Sequence, residues 1–287
     1  MSANKGERPR AGVMGWPVSH SLSPRLHGHW LARYRIDGSY DAIAVEPHDL
    51  ADALSRLAER GFKGVNLTVP HKEAALALVD RIDETAQRIG AINTIVVEDG
   101  VSLAGTNTDA FGFIENLRNH VPDQFADGWS ARPATVLGAG GAARAVCAAL
   151  LDSGVRDIRL VNRTPERAAE LVEHLPGLKQ HATIYAWDDS AGALVGAGLL
   201  VNTTVLGMAG QKPLELDLAD LPHDAIVNDI VYAPLETKLL AQARQRGNHV
   251  VDGLGMLLHQ ARPGFRAWFG VDPAVDDTLR QAVLADM

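Results

Sequence analysis

Three polar clusters in the first 110 residues carry side chains suited to binding and protonating a small polar molecule. The first is Ser19-His20-Ser21-Leu22-Ser23-Pro24, with hydroxyls leading into a helix start. Free N–H groups and the positive dipole end make such a place a cradle for a carboxylate. Ser23 also reads as an ordinary N-cap with Pro24 at the first helical position, a reading that leaves Ser21 unexplained. The second cluster is Asn66-Leu67-Thr68-Val69-Pro70-His71-Lys72, in which Pro70 starts a helix and Lys72 falls in its first turn. The dipole opposes a positive charge there and favours the neutral amine, so Lys72 is either a solvated surface side chain or a proton carrier. The third is Gly105-Thr106-Asn107-Thr108-Asp109, with Asn93 on the preceding hairpin. Asp109 alone reads as an N-cap. A lysine and an aspartate brought together form a pair able to shuttle a proton.

A fourth signal is Gly138-Ala139-Gly140-Gly141-Ala142-Ala143, between an apolar strand and an alanine-rich helix, which fits G-x-G-x-x-[G/A]. Gly138 permits the tight turn, Gly140 lets the backbone approach a pyrophosphate, and the helix presents its N–H groups to that anion. An NAD site usually places an acid about 20 residues on, against the ribose 2′-hydroxyl. Here the next strand ends Leu160-Val161-Asn162-Arg163-Thr164, with Pro165, Glu166 and Arg167 following. Two guanidinium groups and a hydroxyl suit a 2′-phosphate and therefore NADP. The alternative is a solvated arginine pair beside a helix that Thr164 merely caps.

These groups need elements to hold them. In the first third, strands at 11–14 and 62–69 alternate with helices. One helix begins at Ser23 with Leu26, Trp30 and Tyr34 on one face; another is opened by Asp49 and closed by Gly61. The helix from Pro70 carries Ala74, Ala75, Leu78 and Val79. Strands at 92–97 and 101–104 flank Asp99-Gly100, a hairpin signal. A helix from about Asp109 turns Phe111, Ile114 and Leu117 inward. Residues 121–133 lack periodicity and read as a linker. Beyond it, strands at Ala134–Leu137, 158–161, Leu199–Asn202, 225–228 and His249–Val251 alternate with helical segments, implying βαβ units and a parallel sheet. The expected fold class is α/β, with two α/β domains.

The 287 residues leave room for about two domains. A net charge of −8 argues against a nucleic-acid binder, which needs a basic face. The composition, 46% hydrophobic and 22% charged, supports a buried core. The longest nearly apolar run, 191–201, is short of the ~20 residues that span a bilayer, and MSANKGERPR lacks signal-peptide character. The expectation is a cytoplasmic protein with no membrane partner. Cys147 reads as a small core residue, and His27 and His29 as helix-face residues, so no metal is expected. No G-x-S-x-G elbow is present.

Taken in order, the clusters resemble the shikimate/quinate dehydrogenase family, most of all its NADP-dependent shikimate dehydrogenases. Gly90-Ala91-Ile92-Asn93-Thr94 and Asp252-Gly253-Leu254-Gly255-Met256-Leu257 with Gln260 complete the match, which runs from about Gly12 to the last helix. The resemblance implies hydride transfer between NADPH and the ketone of 3-dehydroshikimate, giving shikimate, in aromatic amino-acid (chorismate) biosynthesis. By position, Ser21 and Ser23 hold the substrate carboxylate. Thr68, Lys72, Asn93, Asp109 and Gln260 bind the ring hydroxyls, with Lys72 and Asp109 the catalytic pair. Tyr232 closes on the substrate from the cofactor domain.

The cofactor contacts implied are Gly138, Ala139, Gly140, Gly141, Ala142, Asn162, Arg163, Thr164, Pro165, Glu166, Arg167, Ile230 and Gly253. The implied domains are a mainly parallel α/β substrate domain, 1–120 completed by the returning helices of 253–287, and a Rossmann-like NADP domain, 133–252. The protein is then a monomer or homodimer. Ile230 stands where the family often has methionine, a volume-conserving change. A broader quinate/shikimate enzyme and a non-catalytic sensor that kept both pockets are the alternative readings. Thr68, Arg163 and Thr164 favour the shikimate form, and an intact Lys72 and Asp109 speak against the sensor.

Overall fold

The computed structural model describes residues 8–123 and 129–285. Residues 1–7 and the middle of the expected linker, 124–128, lie outside the described residues. The chain divides into two compact units, one running to Thr108 and resuming at Gln260, the other Asp109–His259.

In the first unit the elements are β1 (Arg10–Gly15), α1 (Ser23–Arg33), β2 (Ser39–Ala44), α2 (Leu50–Ser55), β3 (Phe62–Leu67), α3 (His71–Ala74), β4 (Arg81–Ile82), α4 (Glu84–Ile89), β5 (Thr94–Glu98) and β6 (Ser102–Thr106). They build a six-stranded sheet in the order β2-β1-β3-β5-β6-β4. Five strands run one way, and β5 alone is antiparallel to both neighbours. Its reversal comes from the Asp99-Gly100 turn, where both residues have positive φ, 51° and 72°. Such a two-residue turn matches the twist of the strands it joins, so the hairpin is written locally. One face packs Leu50, Leu54, Leu57 and Phe62 against Leu67 and Ile92.

The second unit contains α5 (Asp109–His120), β7 (Ala134–Leu137), α6 (Gly141–Asp152), β8 (Ile158–Asn162), α7 (Pro165–His174), β9 (Ala182–Ala186), α8 (Ser190–Leu194), β10 (Leu199–Asn202), β11 (Ile226–Asp229), α9 (Lys238–Gln245) and β12 (His249–Val251). Its sheet, β12-β11-β10-β7-β8-β9, is parallel throughout. Counted from its own first strand, the order is 3-2-1-4-5-6, the doubly wound arrangement whose crevice lies between the first and fourth strands. The buried strands read as near-continuous apolar runs, as a sheet covered on both faces requires. A final pair, α10 (Leu254–Phe269) and α11 (Asp277–Leu284), ends the chain.

Several local expectations need correction. Ser23 is the first helical residue of α1, not its cap; Leu22 holds that position and makes no side-chain bond. The cap-like bond comes from Ser21, whose Oγ accepts the Ser23 N–H at 3.3 Å. The helix after Pro70 is a single turn followed by a 3-10 turn, so the dipole argument for Lys72 loses most of its basis. Helix α5 buries Phe113 and Leu117, while Phe111 is exposed, the stripe being set by Asp109, Gly112 and Asn116. Asp49 makes no side-chain cap on α2. Strands β2, β4 and β9 go beyond what the sequence pattern shows: β4 has two residues, and β2 and β9 are edge strands with little burial to write a pattern.

Candidate active site

Asn66, at the carboxyl end of β3, is buried and fully engaged. Its Oδ1 accepts the Tyr40 hydroxyl at 2.7 Å, and its Nδ2 donates to the Asn93 carbonyl and to Thr94 Oγ1. The Asn93 backbone is fixed on both sides, its carbonyl accepting Leu67 N–H and its N–H donating to Thr106. The Asn93 side chain turns toward Thr108 and Gln260. Its Oδ1 accepts the Thr108 N–H at 2.9 Å, and its Nδ2 lies 3.0 Å from Thr108 Oγ1 and 3.4 Å from Gln260 Oε1. Three uncharged polar side chains from the β5 approach, the loop after β6 and α10 therefore meet at one place. Thr108 is not among the site residues expected from sequence. Its signal, one position before Asp109, is visible only once Asn93 is seen to face it.

Around this cluster, Thr68 is half-buried. Its methyl occupies the space a Cβ on Gly15 would take, so glycine there admits it. Thr68 N–H donates to the Met14 carbonyl at 2.9 Å. Lys72 is half-buried in α3, whose position is tied by the Ile92 N–H to the Lys72 carbonyl at 2.8 Å. His71 beside it is buried, with Nε2 2.8 Å from the Val45 carbonyl. Ser21 is half-buried, and Ser23 is buried beside the Tyr40 phenol. Burial pushes the Tyr40 phenol well up, and Ser23 offsets part of that. Beneath them, His27 stacks on Tyr40 at 3.8 Å with the planes 4° apart, and burial pushes its imidazole down to about 3, so it is neutral. Among the described residues no group of three His, Cys, Asp or Glu is arranged to hold a metal.

In the second unit, Asp109 is the first residue of α5 and is 8% exposed. The turn after β7 has Gly138 at φ 108°, and a Cβ there would meet Thr203 Oγ1 at 2.7 Å, so only glycine fits. Ala139 follows. Gly140 is the N-cap of α6 and gives no side-chain bond; the first turn, with Gly141 and Ala142, holds no acid. A Cβ built on Gly140 or Gly141 meets nothing within 4 Å. Packing thus does not demand these glycines, and they leave an open cradle over an uncapped helix start, which fits a pyrophosphate.

At the end of β8, Asn162 Nδ2 donates to the Thr164 carbonyl at 2.7 Å. Thr164 occupies the N-cap of α7, but its hydroxyl makes no cap bond. Arg163, Pro165, Glu166 and Arg167 are exposed, and neither arginine pairs with an acid among the described residues. No carboxylate occupies the strand end, so the donor set fits a 2′-phosphate. Beyond β11, Ile230 donates its N–H to the Asn202 carbonyl at 3.1 Å. Gly253 packs so closely on the Ile230 carbonyl that a Cβ has no room. Tyr232 is mostly buried, which raises its phenol.

Comparison with known proteins gives a consistent picture. Residues 13–95 match a family model described as shikimate dehydrogenase substrate binding domain, 121–205 one described as shikimate/quinate 5-dehydrogenase, and 253–284 one described as shikimate 5′-dehydrogenase C-terminal domain. The chain is 59% identical over 282 residues to a shikimate dehydrogenase (NADP(+)) of Rhodospirillum rubrum, covering 97% of this chain and 98% of the other. Among solved structures it is similar to shikimate 5-dehydrogenase from Thermus thermophilus in complex with NADP(H) and shikimate. That match has a TM-score of 0.83 and 39% identity, over 97% of this chain and 99% of that one. It is also similar to quinate dehydrogenase from Corynebacterium glutamicum in complex with NAD, with a TM-score of 0.88 and 29% identity over 97% and 99%.

Proposed function

The chain belongs to the shikimate dehydrogenase family, and from that premise we propose that Lys72 and Asp109 handle the proton in an NADP-dependent interconversion of 3-dehydroshikimate and shikimate. The protein is an NADP-dependent oxidoreductase acting on a small molecule. What supports the site reading most is the cluster of Asn93, Thr108 and Gln260, three neutral hydrogen-bonding side chains suited to ring hydroxyls. Thr108 joins directly to Asp109. In this reading residues 1–120 with 253–287 form the substrate domain, and 133–252 hold the dinucleotide and add Tyr232 to the substrate.

NADP, when bound, supplies or accepts the hydride. Reduction of the ketone leaves an alkoxide that must gain a proton as it forms, and a positioned acid typically speeds such a step ~10²–10⁴-fold. Lys72 donates that proton, and Asp109 orients the ammonium and bonds the reacting hydroxyl, the two acting as one coupled system. Ser21 and Ser23 hold the substrate carboxylate, Thr68, Asn93 and Gln260 the other hydroxyls, and Tyr232 adds a further contact. The Gly138–Ala142 turn holds the pyrophosphate, the segment from Asn162 to Arg167 the 2′-phosphate, and Ile230 and Gly253 the nicotinamide end.

No helix among the described residues is long and apolar enough to cross a membrane. The proposal places the reaction in the cytoplasm, in a monomer or homodimer. A spectrophotometric panel of shikimate and quinate against NADP and NAD tests the whole. Turnover should be fastest by far with shikimate and NADP; fastest turnover with quinate and NAD, or none with any pair, overturns the reading.

A further inference from the structure

Two loops leave the carboxyl ends of β10 and β11, and a single buried carboxylate fastens both. Asp229, the last residue of β11, is fully buried. Its Oδ1 accepts Asn202 Nδ2 at 2.9 Å and the Val231 N–H at 3.0 Å, and its Oδ2 accepts the Thr237 hydroxyl at 2.7 Å. Asn202 carries the connection onward: its Oδ1 accepts the Thr204 N–H and hydroxyl, at 3.0 and 2.8 Å, and its Nδ2 also donates to the Leu206 carbonyl. The two loops are joined directly by the Ala209 N–H to the Ala233 carbonyl at 2.7 Å. The turn 229–231 therefore has its shape set by one side chain, and that turn presents Ile230 and leads into Tyr232.

We propose that Asp229 is a positioning residue for the nicotinamide end of the dinucleotide, holding the Ile230–Tyr232 turn against Gly253 through its three hydrogen bonds. The proposal rests on the reading that Ile230 and Gly253 face that end. All three partners donate, so each of the three bonds as it stands is made to the carboxylate. A proton on Oδ1 would face the Asn202 amide and the Val231 N–H, neither of which can accept it, and a proton on Oδ2 would reverse the bond to Thr237 and leave that hydroxyl proton without its acceptor. Thr237 Oγ1 already accepts the Leu240 N–H at 3.3 Å.

The groups packed on Asp229 from β10, the turn and the α9 cap carry no charge. Of the nearby ionisable residues, Glu236 pairs with Arg244 at 3.0 Å and Lys238 with Glu215 at 3.8 Å. Asp252, after β12, accepts the Leu254 N–H. Burial accordingly raises the Asp229 carboxyl to about 6, against the opposing pull of its hydrogen bonds, Thr237 first. The turn is thus held less firmly in mild acid.

Binding of NADP and of 2′-phospho-ADP-ribose, which lacks the nicotinamide, measured calorimetrically from pH 5 to 8, separates this role from general folding. In the wild-type protein the ratio of the two affinities should fall at least threefold below pH 6, while titration of the shared phosphates cancels. Asp229→Asn should give a low ratio with no pH dependence. Thr237→Val, a milder variant, should move the acid limb to higher pH because it removes a donor that favours the carboxylate, and Thr237→Ser should restore it. An unchanged ratio and pH profile in Asp229→Asn and Thr237→Val overturns the proposal, as does equal weakening of both ligands. Failure of the wild-type protein to bind either ligand overturns the dinucleotide reading and this proposal with it.

Discussion

Thr108 gives both its backbone N–H and its hydroxyl to the same oxygen of Asn93, at 2.9 and 3.2 Å. The residue after Thr108 is Asp109, and the Asn93 side chain that holds Thr108 is one that the substrate also uses in this account. Replacing Thr108 by valine keeps the shape and the N–H bond but removes the hydroxyl that donates to Asn93 Oδ1 and accepts from Asn93 Nδ2. The expected cost is about 1 kcal/mol of stability, the net worth of a typical hydrogen bond. The Michaelis constant for shikimate should rise severalfold while that for NADP stays the same. Denaturant unfolding and steady-state kinetics on one preparation check both.

Arg163 stands exposed at the end of β8 and, among the described residues, has no acidic partner. Arg163→Ala should weaken NADP by roughly ten- to a hundredfold, the loss of one or two charge-assisted bonds, and leave NAD little changed. Equal losses for both cofactors would show that Arg163 does not read the 2′-phosphate.

Ser21 has a structural duty as well as the proposed ligand contact, since its Oγ accepts the Ser23 N–H. Ser21→Ala should therefore cost about 1 kcal/mol of stability, the usual worth of a helix-start bond. It should raise the Michaelis constant for shikimate with little change in turnover number, because the contact exists in ground and transition states alike.

Asp229 makes stability depend on pH in an unusual direction. Its folded-state value, about 6, lies above the ordinary 3.8, so between those values the folded protein binds more protons than the unfolded chain. Stability from this group is full below pH 3.8 and is lost as pH rises through 6. The shift of about two units corresponds to roughly 3 kcal/mol. The stability difference between wild type and Asp229→Asn should thus shrink by that order from pH 4 to pH 7. A difference that grows with pH would contradict the burial argument.

The sequence carries the parts of the fold that local chemistry writes. Asp99-Gly100 names its own turn, Gly138 its own φ, and the apolar run from Ala134 its own strand. Sequence pattern fails where the deciding contact is distant. The inward face of α5 is set by Phe113 and Asn116 rather than Phe111, because α5 packs on α6 and β12, which only the tertiary fold brings near. Ser23 satisfies the local rules for a cap, yet it is the first helical residue and is buried beside Tyr40, which lies on a different element. At the site, Gln260 is reached only through family resemblance, since it lies 167 residues from the Asn93 it faces. Asp229 sits in an apolar strand, where an acid is out of place. That oddity is legible in the sequence, but its three donors are not.

The central claim is that Lys72 gives the proton, and Lys72→Met tests it most directly, since methionine keeps the apolar stem and removes the ionisable group. Turnover number with saturating shikimate and NADP is measured beside the dissociation constants of both ligands. The account requires turnover to fall by two orders of magnitude or more, with NADP affinity nearly unchanged and the protein folded. Near wild-type turnover in a folded variant that binds both ligands would contradict it and leave the proton to Asp109 alone.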